Sequence, residues 1–234
     1  MIFALLNFLF DIDNQKNYTL CMDKFVEFKG VNYRYISNYC ALCDINYKFY
    51  AKKHYIIYGE ELSGKSTLAR VFCGLESNYE GEILYDGKKL NEGDEFYKNE
   101  IVYLPIQQVF FENKTVLENI EYAYNLRNTG KCDFQKVTNN FNLSGLSNGK
   151  CKNLSNFQRV MVSLARASMR KFTYLVIDEC LDNLSEDEVN IVFDKIKLLD
   201  YKTLILTTVN DKLFKENDFI KLNMTAGYLK EIID

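Results

Sequence analysis

The sequence predicts an α/β fold with a mostly parallel core sheet, and three features support this prediction. Short apolar runs at residues 54–58 and 172–178 are typical of buried parallel strands. Apolar residues at helical spacing lie between such runs. A glycine-containing loop, GEELSGKST, separates the first run from a helical segment. Strands that alternate with helices in this order favour a single α/β domain.

The composition is that of one folded unit. The chain has 234 residues, of which 47% are hydrophobic, enough to fill a core. Its formal net charge of −3 gives no basic excess that would indicate nucleic-acid binding, and none is expected. No repeat or flexible linker divides the sequence. We therefore expect one domain over residues 26–234, with a short helical insertion at about 116–170.

The first half of the chain is predicted to start with a small antiparallel β-subdomain. Strands at 26–35 and 41–50, joined by the turn-rich ISNY, form its hairpin. The first core strand at 54–58 leads through the loop into a helix at 67–74. A strand with a DG turn follows at 81–90, and another core strand at 100–104 ends at Pro105.

The second half alternates helices and strands. Residues 116–149 have a polar helical pattern, and a helix at 155–169 begins with Ser155 and Gln158 in the form of a capping box. The central strand at 172–178 comes next. A second capping box, Ser185 with Glu188, starts a helix through residue 199. A buried strand at 203–208 and a closing pair at 218–222 and 226–232 complete the domain.

The cysteines give little sign of chemistry. There are seven, at 21, 40, 43, 73, 132, 151 and 180, an odd and scattered set that is typical of a reducing compartment. Cys40 and Cys43 form a CxxC motif, which can indicate zinc or redox activity, but no second CxxC or histidine pair is close in sequence. We interpret both as buried small hydrophobic residues.

The loop after the first core strand matches the phosphate-binding pattern GxxxxGK[ST]. Gly59 and Gly64 let backbone N–H groups turn toward phosphates without a side chain in the way. Lys65 can reach the β- and γ-phosphates, Ser66 can ligate Mg²⁺, and the helix that follows adds its positive end. The sequence therefore predicts a P-loop NTPase fold that binds a nucleotide.

A second element lies at the end of the central strand. Asp178 and Glu179 follow its apolar residues directly, at the carboxyl edge where open α/β sheets bind ligands. Asp178 is expected to hold Mg²⁺ through water, and Glu179 to polarise the attacking water. A solvated acidic turn is the alternative, but the phosphate loop in the same chain favours the nucleotide interpretation.

Between these elements the sequence reads KNLSNFQRVMVSLARA. Leu154, Ser155, Gln158 and the run at 164–167 align without a gap with the signature LSGGQ and following helix of the ATP-binding cassette (ABC) family. From residue 26 to its end the chain resembles this family. The resemblance implies ATP and Mg²⁺ as ligands, and a second nucleotide-binding domain and a transmembrane subunit or domain as partners. It also implies a cytoplasmic location, peripheral to a membrane.

The resemblance suggests further site residues. Tyr35 matches the aromatic residue that stacks on adenine. The segment IVYLPIQQVFFENKTVLENI resembles the glutamine loop: counting back from Thr115 selects Gln107, whereas counting on from Pro105 selects Ile106. We assign Gln107 to the metal and the attacking water. The residues expected to bind ATP are Tyr35, Gly59, Ser63, Gly64, Lys65, Ser66, Thr67, Ser155 and Gln158. The expected catalytic residues are Glu179, Gln107 and Lys65, and the expected metal ligands are Ser66, Gln107 and Asp178.

The residues around Tyr35 and the segment FENKTVLENI are most similar to those of exporter-type cassettes, including mitochondrial half-transporters. In them a membrane domain precedes the cassette. Residues 1–25 begin with the apolar MIFALLNFLF, which is shorter than the roughly 20 residues that span a bilayer, and they lack the features of a secretory signal. They are expected to be a helix packed on the domain or the remnant of a linker from a membrane domain.

The sequence departs from the family at the phosphate loop. Leu62 stands in place of a third glycine, next to Glu60 and Glu61. A leucine in left-handed conformation costs about 1–2 kcal/mol, and carboxylates repel a triphosphate unless they point to water. ATP is therefore expected to bind more weakly than usual.

Two further departures concern the signature and the end of the fourth core strand. Asn156 and Phe157 replace the signature glycines, and the phenylalanine is expected to obstruct the approach to a partner's nucleotide. Thr208 stands where the family has a histidine, and His54, the only histidine, precedes the loop strand.

Three functions are consistent with these features. The first is an active transporter ATPase that closes as a head-to-tail dimer around two ATP molecules. The second is a degenerate cassette that binds ATP and regulates a more active partner. The third is a soluble cassette that acts on ribosomes or DNA, for which tandem cassettes, a long coiled-coil insertion or basic patches would be expected; the sequence has none of these.

Overall fold

The computed structural model describes residues 24–35, 39–126, 130–210 and 219–232. The predictions for residues 1–23 and for most of the ISNY turn lie outside these ranges. Among the described residues, no helix is long and apolar enough to cross a membrane.

The predicted N-terminal antiparallel subdomain is present as a four-stranded sheet in the order β2-β1-β4-β5. Its strands are β1 (Phe25–Arg34), β2 (Cys40–Tyr50), β4 (Glu80–Tyr85) and β5 (Lys88–Lys89). The DG turn between β4 and β5 has positive φ at Asp86 (51°) and Gly87 (79°), which matches the primed turns that join tight hairpins.

The core is a six-stranded sheet in the order β10-β9-β3-β8-β7-β6. Its strands are β3 (His54–Tyr58), β6 (Ile101–Leu104), β7 (Tyr174–Asp178), β8 (Thr203–Thr208), β9 (Phe219–Thr225) and β10 (Tyr228–Glu231). All neighbours are parallel except β9 and β10, so the mostly parallel sheet is confirmed. Every residue of β7 is buried, as its uninterrupted apolar run predicts.

Six helices surround this sheet among the described residues: α1 (Lys65–Phe72), α2 (Glu95–Glu100), α3 (Val116–Asn125), α4 (Phe134–Asn140), α5 (Asn156–Ala167) and α6 (Glu186–Ile196). Helices α3 to α5 make up the helical insertion. Both predicted capping boxes are formed, at Ser155 and Ser185. A third, at Thr115, and the short helix α2 were not predicted.

Two apolar clusters hold these layers together. One packs α3, α5 and α6 against one face of the core sheet. The other fills the space between the opposite face, α1 and the antiparallel sheet. Strand register aligns Tyr58 with Thr208 and Asp178 with Thr207. The loops after β3, β7 and β8 therefore meet at one edge of the sheet.

Candidate nucleotide-binding site

The phosphate loop joins β3 to α1, and both of its glycines are required by geometry. A Cβ atom on Gly59 would lie 2.1 Å from the carbonyl oxygen of Met224. Gly64 has φ of 109°, and its Cβ would lie 2.2 Å from the carbonyl oxygen of Ala41. The loop thus rests on β9 and β2, which fix its path around the space where phosphates are expected.

Lys65 is almost fully buried, with 1% of its side chain exposed. Its Nζ donates to the carbonyl oxygens of Gly59 (2.8 Å) and Glu60 (2.7 Å) and lies 3.0 Å from Glu179 Oε1. The three hydrogens of the ammonium group therefore have acceptors within the protein. A bound phosphate would have to compete with them.

Asp178 is 2% exposed and accepts three hydrogen bonds from hydroxyl groups. Oδ1 accepts from Ser66 (3.0 Å) and Thr207 (2.6 Å), and Oδ2 accepts from Tyr103 (2.7 Å). Because Ser66 gives its proton to Asp178, the lone pairs of its oxygen remain available to a cation. A hydroxyl beside a carboxylate is an oxygen-donor pair that fits Mg²⁺.

Glu179 has φ of 52°, in the left-handed region that non-glycine residues rarely adopt. Such a conformation costs about 1–3 kcal/mol and persists where neighbours hold it. Here the backbone N–H of Glu179 contacts Thr207, at 3.2 Å from its carbonyl oxygen and 3.1 Å from its hydroxyl. The turn directs the carboxylate of Glu179 toward Lys65.

The position of Tyr35 is fixed by the contacts of its hydroxyl group. That oxygen lies 3.1 Å from the Thr67 hydroxyl and accepts a hydrogen bond from Arg70. Arg70 also pairs with Glu76, at 3.2 Å. Sequence reasoning missed Arg70 and Glu76, which lie one turn or more beyond the loop motif and carry no pattern of their own.

These residues enclose a cavity of about 550 Å³ at the carboxyl edge of the sheet. The predicted residues that line it are Tyr35, Ser63, Gly64, Lys65, Ser66, Thr67 and Glu179. Gly59 lines an adjoining cavity, and Asp178 accepts a hydrogen bond from Ser66. The structure thus brings most of the predicted nucleotide site together.

The glutamine loop is arranged differently from the rest of the site. Ile106 lines the cavity, whereas Gln107 is exposed and faces the neighbouring groove beside α5. Gln108 is buried, donates to the carbonyl oxygen of Pro105, and accepts from the Ser163 hydroxyl. The metal and catalytic roles of Gln107 stay predictions.

The signature segment begins α5 and lies outside the cavity. Ser155 and Gln158 cap the helix reciprocally, with N–H to side-chain oxygen distances of 3.0 and 3.3 Å. Asn156 is exposed, while Phe157 is half-buried and packs against the helical side of the core. Phe157 therefore packs in part within its own domain. That it obstructs the approach to a partner's nucleotide stays a prediction.

Thr208, which replaces the expected histidine, is 1% exposed. Its hydroxyl donates to Asp182 Oδ1, and Asp182 Oδ2 accepts from the N–H of Val209 at 3.0 Å. Asp182 thus ties the loop after β8 to the turn after β7. The hydroxyl of Thr208 is occupied by this contact.

Leu62 takes the left-handed conformation that the missing glycine implies, with φ of 61° and 86% exposure. Glu60 and Glu61 are exposed to water. Their repulsion of a triphosphate is therefore screened by solvent.

The interpretation of Cys40 and Cys43 as buried hydrophobic residues is wrong. Both are half-buried at the start of β2, and their sulfur atoms are in contact with each other. The N–H of Cys43 donates to the carbonyl oxygen of Gly227 (2.8 Å), whose own N–H donates to Ser63 (3.0 Å). The spacing of the two cysteines does not reveal this link through Gly227 to the phosphate loop.

Comparisons with known proteins agree with this geometry. The family model described as ABC transporter matches residues 42–182. An ATP-dependent lipid A-core flippase of Blochmanniella floridana is 30% identical over 175 residues, covering 70% of this chain and 30% of that protein. The lipoprotein-releasing system ATP-binding protein LolD of Buchnera aphidicola is 30% identical over 166 residues, covering 66% and 73%. The xylose import ATP-binding protein XylG of Escherichia coli K12 is 28% identical over 166 residues, covering 66% and 32%. The chain therefore spans about a third of the flippase and of XylG.

Solved structures share the fold. The ADP conformation of MJ1267, an ATP-binding cassette of an ABC transporter, has a TM-score of 0.71 at 20% identity, covering 88% of this chain and 89% of that one. The dimeric cassette MJ0796 has a TM-score of 0.76 at 19% identity, covering 89% and 99%. At these identities the likeness concerns the fold alone.

Proposed function

The chain belongs to the ATP-binding cassette family of transporter ATPases, and from this premise we propose that it binds ATP with Mg²⁺ and hydrolyses the γ-phosphate to drive transport. One observation carries the proposal. Lys65, Ser66, Asp178 and Glu179 come from two separate strand ends and converge on the same cavity edge. These are the groups that phosphoryl transfer to water needs.

Binding would start at the phosphate loop. The first residues of α1 line the cavity, and N–H groups at the start of a helix attract phosphate oxygens. Lys65 would exchange its contact with Glu179 for the β- and γ-phosphates, which carry more negative charge. Tyr35, held by Thr67 and Arg70, lines the cavity and would stack on the base.

Hydrolysis would transfer the γ-phosphoryl group to water, giving ADP and phosphate. Glu179, released from Lys65, would orient the attacking water and take up its proton. Ser66 and Asp178 are the residues that would hold Mg²⁺, which would supply positive charge next to the phosphate oxygens. Lys65 would stabilise the charge that develops on the leaving β-phosphate.

We propose a head-to-tail dimer with a second cassette, and a transmembrane subunit or domain as a further partner. Support comes from the cassette fold and from relatives that include a flippase and the ATP-binding protein of a lipoprotein-releasing system. The flippase favours exporter-type transport. The proposed location is the cytoplasmic or organellar face of a membrane.

A second candidate is a degenerate cassette that binds ATP but leaves hydrolysis to a partner. It is favoured by the left-handed Leu62 in the loop and by Thr208, whose hydroxyl is held by Asp182 instead of facing the cavity. No contact in the described residues favours the third candidate, a soluble cassette that acts on ribosomes or DNA.

Phosphate release by the purified protein distinguishes the first two candidates. Wild type is compared with Glu179→Gln, and with Glu186→Gln as a matched control at an exposed position on α6. If the chain is an active ATPase, Glu179→Gln should lose phosphate release and Glu186→Gln should keep it. Equal phosphate release by wild type and Glu179→Gln would exclude the active ATPase. Identifying the proteins that co-purify from native membranes then tests the proposed partners.

A further inference from the structure

Tyr103 makes a contact at the proposed metal site that no motif in the sequence indicates. Its hydroxyl donates to Asp178 Oδ2 at 2.7 Å. Tyr103 lies on β6, the edge strand next to β7, where it pairs with Val176. Asp178 lies two residues further along β7 and on the same face, a rise of about 6.6 Å that the length of a phenol side chain can span.

The two oxygens of Asp178 have different partners. Oδ1 accepts from Ser66 and Thr207, whereas Tyr103 is the donor found for Oδ2 among the described residues. The carboxylate is 2% exposed, so water has little access to replace a lost donor. Without Tyr103, the carboxylate would be held at one oxygen only and could rotate.

Tyr103 is suited to act as a donor to this carboxylate. Its phenol group has one proton to donate, and Asp178 Oδ2 lies 2.7 Å from its oxygen. It contributes a charge-assisted hydrogen bond without adding a charge of its own.

We propose that Tyr103 is a positioning residue for the Mg²⁺ site: its hydroxyl holds Asp178 Oδ2, which keeps Oδ1 directed at Ser66 and the metal. Hydrogen-bonded neighbours of ligating groups commonly set metal affinity in this way. The inference rests on the proposed function, because it concerns the same ATP and Mg²⁺ site.

The test separates metal binding from nucleotide binding. Affinity for a non-hydrolysable ATP analogue is measured by calorimetry with Mg²⁺ and again in EDTA, for wild type and Tyr103→Phe. We expect about a tenfold loss with Mg²⁺ and no change in EDTA. Tyr103→Met, a second apolar replacement without the hydroxyl, is measured beside it so that a folding defect in one variant does not decide the outcome.

Tyr47→Phe is the matched control. The Tyr47 hydroxyl also donates to a carboxylate at 2.7 Å, but the acceptor is Glu231, on β10 and outside the nucleotide cavity. This variant is expected to bind as wild type does under both conditions.

The other outcomes test the inference and the proposed function separately. Equal losses with Mg²⁺ and in EDTA would show a merely structural role and overturn the inference, as would an unchanged affinity with Mg²⁺. In both cases the proposed function stands, because wild type binds. A wild type that does not bind the analogue with Mg²⁺ overturns the proposed function, and the inference with it.

Discussion

Lys65 Nζ lies 3.0 Å from Glu179 Oε1, so the lysine proposed to bind phosphate and the glutamate proposed to activate water neutralise each other in this structure. The lysine side chain is 1% exposed and that of the glutamate 19%. An incoming triphosphate must separate this pair and also meets the negative charge of Glu179.

Glu179→Gln is therefore expected to raise the affinity for a non-hydrolysable ATP analogue, because it removes both the competing partner and the repulsion. A gain of about fivefold, or about 1 kcal/mol, corresponds to a partly solvated ion pair. Calorimetry measures it, with Glu186→Gln as the control. An affinity that falls or stays constant would show that Glu179 does not compete for Lys65.

Leu62→Gly is expected to stabilise the fold. Leucine at φ of 61° costs about 1–2 kcal/mol, while glycine adds back about 0.5–1 kcal/mol of chain entropy. The side chain is 86% exposed, so little burial is lost. We expect a net gain of about 0.5–1 kcal/mol in the free energy of unfolding, measured in urea.

Leu126→Gly is the control for this substitution. Leu126 is 64% exposed but has an ordinary φ of −63°, so glycine there should cost about 0.5–1 kcal/mol. If both variants lose stability to the same extent, the leucine in the phosphate loop is not strained.

The sequence predicted those parts of the site that depend on local pattern. Each of the two motifs follows directly on the end of a core strand; they contain Lys65, Ser66, Asp178 and Glu179. Parallel strands bring those ends to one edge of the sheet. Core strands were predicted well because β7 and β8 are buried on both faces and read as apolar runs.

The parts that could not be predicted depend on contacts between distant segments. The Tyr103 contact to Asp178 requires the pairing of β6 with β7, which brings together residues 75 positions apart. The hydrogen bonds that link Cys43 through Gly227 to Ser63 join three separate segments of the chain. An inserted residue near Pro105 made the glutamine loop ambiguous, and local folding buries Gln108 rather than Gln107.

Asp182→Ala is expected to lower stability, since it removes the acceptor of the Thr208 hydroxyl and of the Val209 N–H. A buried hydroxyl left without its partner costs about 1–3 kcal/mol. Urea unfolding of Asp182→Ala measures the loss. Asp200→Asn is the comparison, because Asp200 pairs with Lys171 at the surface, where such pairs contribute about 0–1 kcal/mol. Equal effects of the two substitutions would contradict a structural tie through Asp182.

Thiol labelling tests whether the adjacent sulfur atoms of Cys40 and Cys43 are bonded, in a Cys21→Ser background that removes the cysteine outside the described residues. We expect a bond, so that without reductant Cys132 should react first, because Cys73, Cys151 and Cys180 are buried. Burial raises the pKa of Cys180 to about 12, which keeps its thiolate fraction low at neutral pH and slows its reaction further.

Reductant should expose the thiols of Cys40 and Cys43, which mass spectrometry detects as two added labels on one peptide. Cys132→Ser should remove the fast label and leave this reductant-dependent pair unchanged. Labelling of Cys40 and Cys43 at equal rates with and without reductant would show that the two sulfurs are not bonded in solution.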